Sequence, residues 1–238
     1  MNRNLSDPKR AYVVWTLIAI NVLIFFVLEA GGSTENAYYL FRHGAMLTSA
    51  ITEDHEYWRF FTAMFLHFGA NHIFNNMLVL FAVGTILENG IGHTRMAAIY
   101  LLSGLGANLV SHLVRVRAGE EVLSAGASGA VFGLMGAMIF AGIFARELTG
   151  ALSARQIIIL LILSLYHGVS EAVDDTAHLS GLVFGFLLAA LLLKLFPPKK
   201  TNPGTGSDRW ETAAQAPETA GDFSTETDRR KDGDNQWK

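Results

Sequence analysis

The chain has 238 residues, of which 51% are hydrophobic and 16% are charged. Soluble globular domains carry about 25% charged residues, so this composition indicates a membrane protein. The formal net charge of −3 says nothing about nucleic acid, and the sequence has no basic stripe with interleaved aromatic residues of the kind that binds it. The chain contains no cysteine, which excludes disulfides, thiolate catalysis and cysteine-ligated metal sites.

A helix needs roughly 20 apolar residues to cross a bilayer, and six apolar segments are interpreted as such spans, although the fifth is short. They cover residues 12–28, 60–87, 96–114, 127–145, 157–169 and 177–196. The first is too long for the apolar core of a signal peptide and is interpreted as a retained span. The pattern predicts an all-α polytopic membrane protein whose core, residues 12–196, is a bundle of six transmembrane helices.

Three polar segments lie outside these spans. The N-terminus, residues 1–11, is short and carries three basic side chains. Residues 29–58 contain several aromatic residues and are expected to lie on the membrane surface as short amphipathic structure. Residues 197–238 have little apolar content, which predicts a disordered tail.

The distribution of Lys and Arg near the spans predicts the orientation of the chain. With six spans both termini lie on one side of the membrane, which would hold nine such residues against four on the other side. The nine are Arg3, Lys9, Arg10, Arg95, Arg146, Arg155, Lys194, Lys199 and Lys200, and the four are Arg42, Arg59, Arg115 and Arg117. Both termini are therefore predicted to be cytoplasmic, and the fourth and sixth spans to start from the outer side.

Two polar residues stand out inside apolar spans. Ser128 begins the fourth span within Gly126-Ala127-Ser128-Gly129, and His178 begins the sixth. Polar groups at membrane depth are costly and usually face a partner or a water-filled cavity. Since both spans start from the same side, the serine and the histidine are expected at the same depth, where they could serve as a nucleophile and its base.

A cluster of histidine and asparagine side chains begins the second span, which starts from that same side. His72 and Asn76 are four residues apart, so in a helix they project about 40° from one another. His67 would project about 140° away from His72. Fixed hydrogen-bond donors in a water-poor site are what an oxyanion requires in acyl transfer.

Each feature also has a structural interpretation. The Gly-Ala-Ser-Gly sequence could be a small-residue helix contact, and His178 could be an interhelical hydrogen-bond donor. The His/Asn cluster could be a polar seam or an ion path. Gly181 and Gly185 have the spacing of a helix-packing motif, which would bring the sixth span against Gly129, Gly133 and Gly136 of the fourth.

Taken together, the residues resemble a known family, the rhomboid intramembrane serine proteases, in their six-span prokaryotic form. The resemblance covers about residues 55–190 and rests on motifs that recur in the family's order and spacing. These are Trp58-Arg59, His67, His72 and Asn76, Glu88, Gly126-Ala127-Ser128-Gly129, and Ala177-His178 with Gly181 and Gly185.

The resemblance implies a Ser–His dyad, with Ser128 as the nucleophile and His178 as the general base. His72, Asn76 and the Ser128 backbone N–H would form the oxyanion hole. The family has no carboxylate that orients the histidine. Asp174 and Asp175 shortly precede His178, which leaves an orienting role for either as an alternative. Asp175 stands where some members carry Asn.

The resemblance also implies supporting roles. Phe132 stands where the family often has an aromatic ring stacked on the histidine. Trp58 and Arg59 match a structural loop motif, and Glu88 matches a position that helps to hold the cytoplasmic ends together.

The function implied is hydrolysis of peptide bonds in or near transmembrane segments of membrane-protein substrates, in the plasma or inner membrane of a prokaryote. The expected partners are those substrates and the lipid bilayer, with no cofactor, no metal and no nucleic acid. Two other classes compete with this interpretation. One is a non-catalytic binder of client helices. The other is a transporter or channel, although such folds tend to show internal repeats and broken helices in both halves.

Overall fold

The computed structural model describes residues 7–148 and 174–197. Within those ranges the chain forms helices and one minimal strand pair. The helices are α1 Tyr12–Gly31, α2 Ala37–Arg42, α3 Thr48–Thr52, α4 Arg59–Thr62, α5 Gly69–Ile91, α6 His93–Ala118, α7 Ser128–Phe144 and α8 Asp175–Leu195. Strand β1 (Met46–Leu47) pairs antiparallel with β2 (Leu123–Ser124), and short 3-10 turns occur at Pro8–Arg10, Ala63–Phe65 and Arg146–Leu148.

Among the described helices, α1, α5, α6 and α8 are long and apolar enough to cross a membrane, and α7 is a shorter apolar helix of 17 residues. They coincide with five of the six predicted spans, which confirms an all-α multi-pass membrane protein. The fifth predicted span, residues 157–169, lies outside the described residues. So does the predicted tail apart from its first residue, Pro197.

The predicted start of the second span is wrong. The prediction placed a continuous helix over residues 60–87, but α5 begins only at Gly69. The backbone is extended at Leu66 and at Phe68, and Gly69 has a positive φ of 70°. These three conformations break the helix. Hydropathy alone misses the break because residues 60–68 are mostly apolar.

Helix α7 lies at the centre of the bundle, and every residue from Gly129 to Met138 is buried. Its most extensive contact is with α8. The two backbones approach so closely that a β-carbon on Gly185 would collide with the Gly133 carbonyl oxygen. Small residues at such crossings allow membrane helices to pack without a hydrophobic driving force between them.

Arg59 holds the loop between α1 and α5 together. Its side chain is 4% exposed and donates hydrogen bonds to the carbonyl oxygens of Phe41 (2.7 Å) and Ala45 (2.8 Å). It also pairs with Glu56, and its guanidinium lies over the rings of Phe41 and Trp58. Because the positive charge is both paired and hydrogen-bonded, its burial is compensated.

Glu88, near the C-terminal end of α5, joins this helix to the start of α1. Its carboxylate is 1% exposed and accepts the backbone N–H groups of Val13 and Val14, each at 2.8 Å. His93 Nδ1 lies 2.5 Å from the same carboxylate. A negative charge at a helix N-terminus is favourable, so Glu88 caps α1 and ties it to the turn between α5 and α6.

Candidate active site

The helices α5, α7 and α8 all begin at one end of the bundle, which we call the Ser128 end. Ser128 is the first residue of α7, after Gly126 with a φ of 144°. The Gly126 N–H donates to the Ala63 carbonyl oxygen at 2.9 Å, and the Ala127 N–H donates to His67 Nε2 at 3.4 Å. The segment before Ser128 is thus attached to the turn that precedes α5.

The position of Ser128 at a helix start has chemical consequences. The first N–H groups of a helix have no acceptor within the helix, and the helix dipole favours negative charge near them. The 17 residues of α7 rise about 25 Å, which is less than the roughly 30 Å of a hydrocarbon core. If the C-terminal end of α7 lies at one boundary of the hydrocarbon core, Ser128 at its other end therefore lies inside the core, below the opposite boundary.

His178 lies in the first turn of α8 and is 7% exposed. Its imidazole stacks on the Phe132 ring with the centroids 4.2 Å apart and the planes 6° from parallel. Phe132 follows Ser128 by four residues, so both side chains project from the same face of α7. The stack therefore places the imidazole along the helix face that carries the serine.

Gly181 allows the close approach of these helices at the level of Ser128 and His178. A β-carbon on Gly181 would collide with the Gly129 carbonyl group, and one on Gly129 would lie 3.8 Å from the Ala177 carbonyl oxygen. Gly129 follows Ser128 directly, and Ala177 directly precedes His178. The first turns of α7 and α8 are therefore in direct contact.

His72 and Asn76 lie at the same end, on α5. A β-carbon on Gly126 would lie 3.0 Å from His72 Nε2 and 3.6 Å from Ser128 Oγ, so both side chains flank this glycine. The Phe68 N–H donates to His72 Nδ1 at 3.3 Å, so in the neutral imidazole the proton is on Nε2. Asn76 is 7% exposed and donates from Nδ2 to the His72 carbonyl oxygen at 3.1 Å.

The expectation that His67 points away from His72 is wrong. His67 precedes the helix and lies in the break before Gly69, so the helical angle between the two residues does not apply. The two rings meet edge to face with centroids 5.2 Å apart. His67 is buried and contacts the chain just before Ser128 through the Ala127 N–H. The sequence signals for His67 were a histidine in an apolar stretch and its place in the family's spacing with His72 and Asn76.

The other residues of the resemblance lie away from Ser128 or support its surroundings. Trp58 and Arg59 stabilise the loop before α5. Glu88 follows His72 by four and a half turns of α5, which places it about 24 Å along the helix axis. It belongs to the opposite end of the bundle.

Asp174, just before α8, is a partly buried charge beside this site. It does not contact His178 Nδ1, which has no hydrogen-bond partner among the described residues. Burial alone would raise the pKa of the Asp174 carboxyl. Hydrogen bonds from Ser111 and the Ala177 N–H, together with the Arg115 guanidinium, outweigh burial and lower that pKa below its ordinary value. Asp174 is therefore a carboxylate at neutral pH.

Comparison with known proteins agrees with these features. Residues 54–195, more than half of the chain, match the Rhomboid domain family. The chain is 35% identical over 179 residues to Rhomboid protease GluP of Bacillus subtilis, covering 75% of this chain and 34% of that protein. It is 40% identical over 159 residues to RHOMBOID-like protein 1 of Arabidopsis thaliana, covering 63% and 38%.

A shorter relative is matched over more of its length. The putative rhomboid protease YdcA of Bacillus subtilis is 34% identical over 140 residues, covering 58% of this chain and 69% of YdcA. The chain spans only about a third of the length of the two longer relatives. The match extends across the described helices from α4 to α8. This protein therefore belongs to the rhomboid family.

Proposed function

We propose that this protein is an intramembrane serine endopeptidase that cleaves peptide bonds in or near the transmembrane segments of other membrane proteins. The observation that carries the proposal is the stack of His178 on Phe132, one turn along α7 from Ser128. It joins a nucleophile and a base across two helices that are packed backbone to backbone. The relatives named as rhomboid proteases support the same reaction class.

In the proposed reaction, His178 takes the proton from Ser128 Oγ as the oxygen attacks the scissile carbonyl. The tetrahedral intermediate carries a negative oxygen. The Ser128 backbone N–H, His72 Nε2–H and the second amide proton of Asn76 would donate to that oxygen. When the intermediate collapses, His178 passes its proton to the leaving amine. Water then releases the acyl group from Ser128 with the same base.

The arrangement also constrains the substrate. A transmembrane helix hides each carbonyl in a hydrogen bond to the N–H four residues later. Glycine or proline weakens that ladder, so segments that contain them are the preferred substrates. The resemblance to the rhomboid proteases also implies a small residue before the scissile bond.

The proposed location is the plasma or inner membrane of a prokaryote, with both termini in the cytoplasm and the Ser128 end facing outward. The absence of cysteine from the chain makes this orientation simple to test. A single cysteine introduced as Asp54→Cys should react in intact cells with a membrane-impermeant maleimide. One introduced as Thr94→Cys should react only after lysis. The reverse pattern contradicts the orientation.

The activity is tested in liposomes that contain a single-span substrate with a glycine in its transmembrane segment. The wild type should release two fragments, and mass spectrometry should place the cut in or beside that segment. Ser128→Ala and His178→Ala should release none. Ser180→Ala is a matched control, because that hydroxyl donates to the Thr176 carbonyl oxygen within α8. Cleavage that persists in the purified Ser128→Ala variant contradicts the proposal.

A further inference from the structure

The Asp174 carboxylate connects three separate segments of the chain at the Ser128 end. Its Oδ1 accepts the Ala177 N–H at 3.0 Å and so caps α8. Its Oδ2 accepts the hydroxyls of Ser111 (2.5 Å) and Ser124 (3.2 Å). Besides capping its own helix, the carboxylate therefore also reaches α6 and β2.

Both proposed catalytic residues depend on segments that this carboxylate holds. Ala177 directly precedes His178, and the His178 N–H donates to the Asp174 carbonyl oxygen at 3.0 Å. Ser124 is the last residue of β2, four residues before Ser128. The carboxylate thus fixes the first turn of α8 on one side and the approach to α7 on the other.

Arg115 on α6 completes the cluster. Its guanidinium lies 3.1 Å from Asp174 Oδ2, and its Nε donates to Ser111 Oγ at 3.2 Å. Asp174 and Arg115 side chains are each 14% exposed. Charge-assisted hydrogen bonds between partly buried groups are stronger and more directional than neutral ones. The cluster is therefore a stiff connection between α6, β2 and α8.

The carboxylate does not act as the third member of a triad. Each of its oxygens is engaged by the groups named above, and none of its contacts is to the imidazole. His178 Nδ1 has no hydrogen-bond partner among the described residues. Apart from the electrostatic effect of its charge on the imidazole, Asp174 acts on the reaction through the placement of the two segments.

We propose that Asp174 is a positioning residue that sets the distance between Ser128 Oγ and the His178 imidazole by joining the start of α8 to the segment before α7. The inference rests on the proposed function. Misplacement of reacting groups by about 1 Å can cost on the order of 10²-fold in rate. A loss between about 10-fold and 10²-fold in kcat, with KM little changed, is therefore expected when the connection is removed.

The test uses the full chain in liposomes and measures kcat, KM, the rate of Ser128 labelling by a fluorophosphonate, and Tm. Asp174→Ala should slow turnover and labelling together, and Asp174→Asn, which keeps a helix-capping oxygen, should slow both less. Asp175→Asn is the matched control: this neighbouring carboxylate is exposed, and the variant should stay within about twofold of wild type.

A Tm that falls while kcat and labelling stay within about twofold of wild type shows that Asp174 is only a structural cap, which overturns the inference. A raised KM with unchanged kcat overturns it as well, since that places the effect in substrate binding. If Asp174→Ala does not fold, Ser124→Ala and Asp174→Asn are combined in a double-mutant cycle. Coupled losses in labelling rate support the connection, and additive losses contradict it.

These outcomes separate this inference from the proposed function. A folded wild type that neither cleaves substrate nor reacts with the fluorophosphonate refutes the protease, and the positioning role fails with it. An active wild type with an equally active Asp174→Ala variant refutes the positioning role alone.

Discussion

His178 lies flat against Phe132, with ring centroids 4.2 Å apart and planes within 6° of parallel. Among the described residues no group accepts or donates a hydrogen bond at His178 Nδ1. The ring is therefore oriented by this stack and by the backbone of α8, whereas many catalytic histidines are oriented by a carboxylate. In the proposed dyad, the face of Phe132 would take the orienting role of that third group.

Replacing Phe132 should therefore slow catalysis through His178. Phe132→Ala removes the stacking surface, and we expect kcat to fall by about 10-fold to 10²-fold because the imidazole loses its preferred orientation. Phe132→Tyr keeps the ring face and should retain most of the activity. Phe140→Ala is the matched control, since that ring packs on Phe144 and Phe186 of the bundle away from Ser128. Equal losses in Phe132→Ala and Phe140→Ala contradict an orienting role.

The proposed oxyanion hole predicts a loss of rate without a loss of fold. His72→Ala or Asn76→Ala should each lower kcat by about 10²–10³, the typical effect of removing one donor. KM should change little, because the donors act mainly on the developing charge. Turnover measured beside Tm separates the two effects. Unchanged turnover in both variants means that other groups stabilise the oxyanion.

The contact between α7 and α8 leaves no room for a side chain at Gly185. The β-carbon of Gly185→Ala would collide with the Gly133 carbonyl group, so the helices must separate. Overpacking of this kind costs about 1–3 kcal/mol, and we expect a lower Tm together with a lower kcat. Leu187→Ala on the lipid-facing side of α8 is the control and should change Tm less. A Gly185→Ala variant as stable and active as wild type contradicts this packing.

The lowered pKa of Asp174 predicts that the stability contributed by this residue is lost at acid pH. A carboxyl whose pKa is lower in the folded state than in the unfolded state stabilises the fold above its unfolded pKa of about 4. That contribution is lost as the pH falls through the folded pKa. The Tm difference between wild type and Asp174→Asn should therefore shrink between about pH 5 and pH 3 in a non-ionic detergent. A difference that stays constant over this window contradicts the ionised cap.

Residue counts and hydropathy predicted the positions of four of the described helices. Apolar length predicted α1, α6, α7 and α8 to within a few residues because a bilayer demands long apolar helices. The beginning of α5 could not be predicted in this way. The break at Leu66 to Gly69 is a backbone feature inside an apolar stretch, and hydropathy carries no signal for it.

The site residues also differ in how far the sequence alone predicts their positions. Ser128 and His178 stood out because polar side chains in apolar spans are costly. His72 and Asn76 share a helix, so their common face was also predictable. His67 was misplaced because it lies before the helix starts. The contacts of Asp174 with Ser111 and Ser124 join positions 63 and 50 residues apart, which no local pattern reveals.

The most direct test of the account is covalent labelling of the wild type with a fluorophosphonate, followed by mass spectrometry of the adduct. We expect a single adduct on Ser128, slower labelling in His178→Ala, and no labelling in Ser128→Ala, because only a serine activated by a neighbouring base reacts readily. The Ser180→Ala control should label like the wild type. An adduct on another serine, or an equal rate in His178→Ala, would contradict the proposed Ser128–His178 dyad.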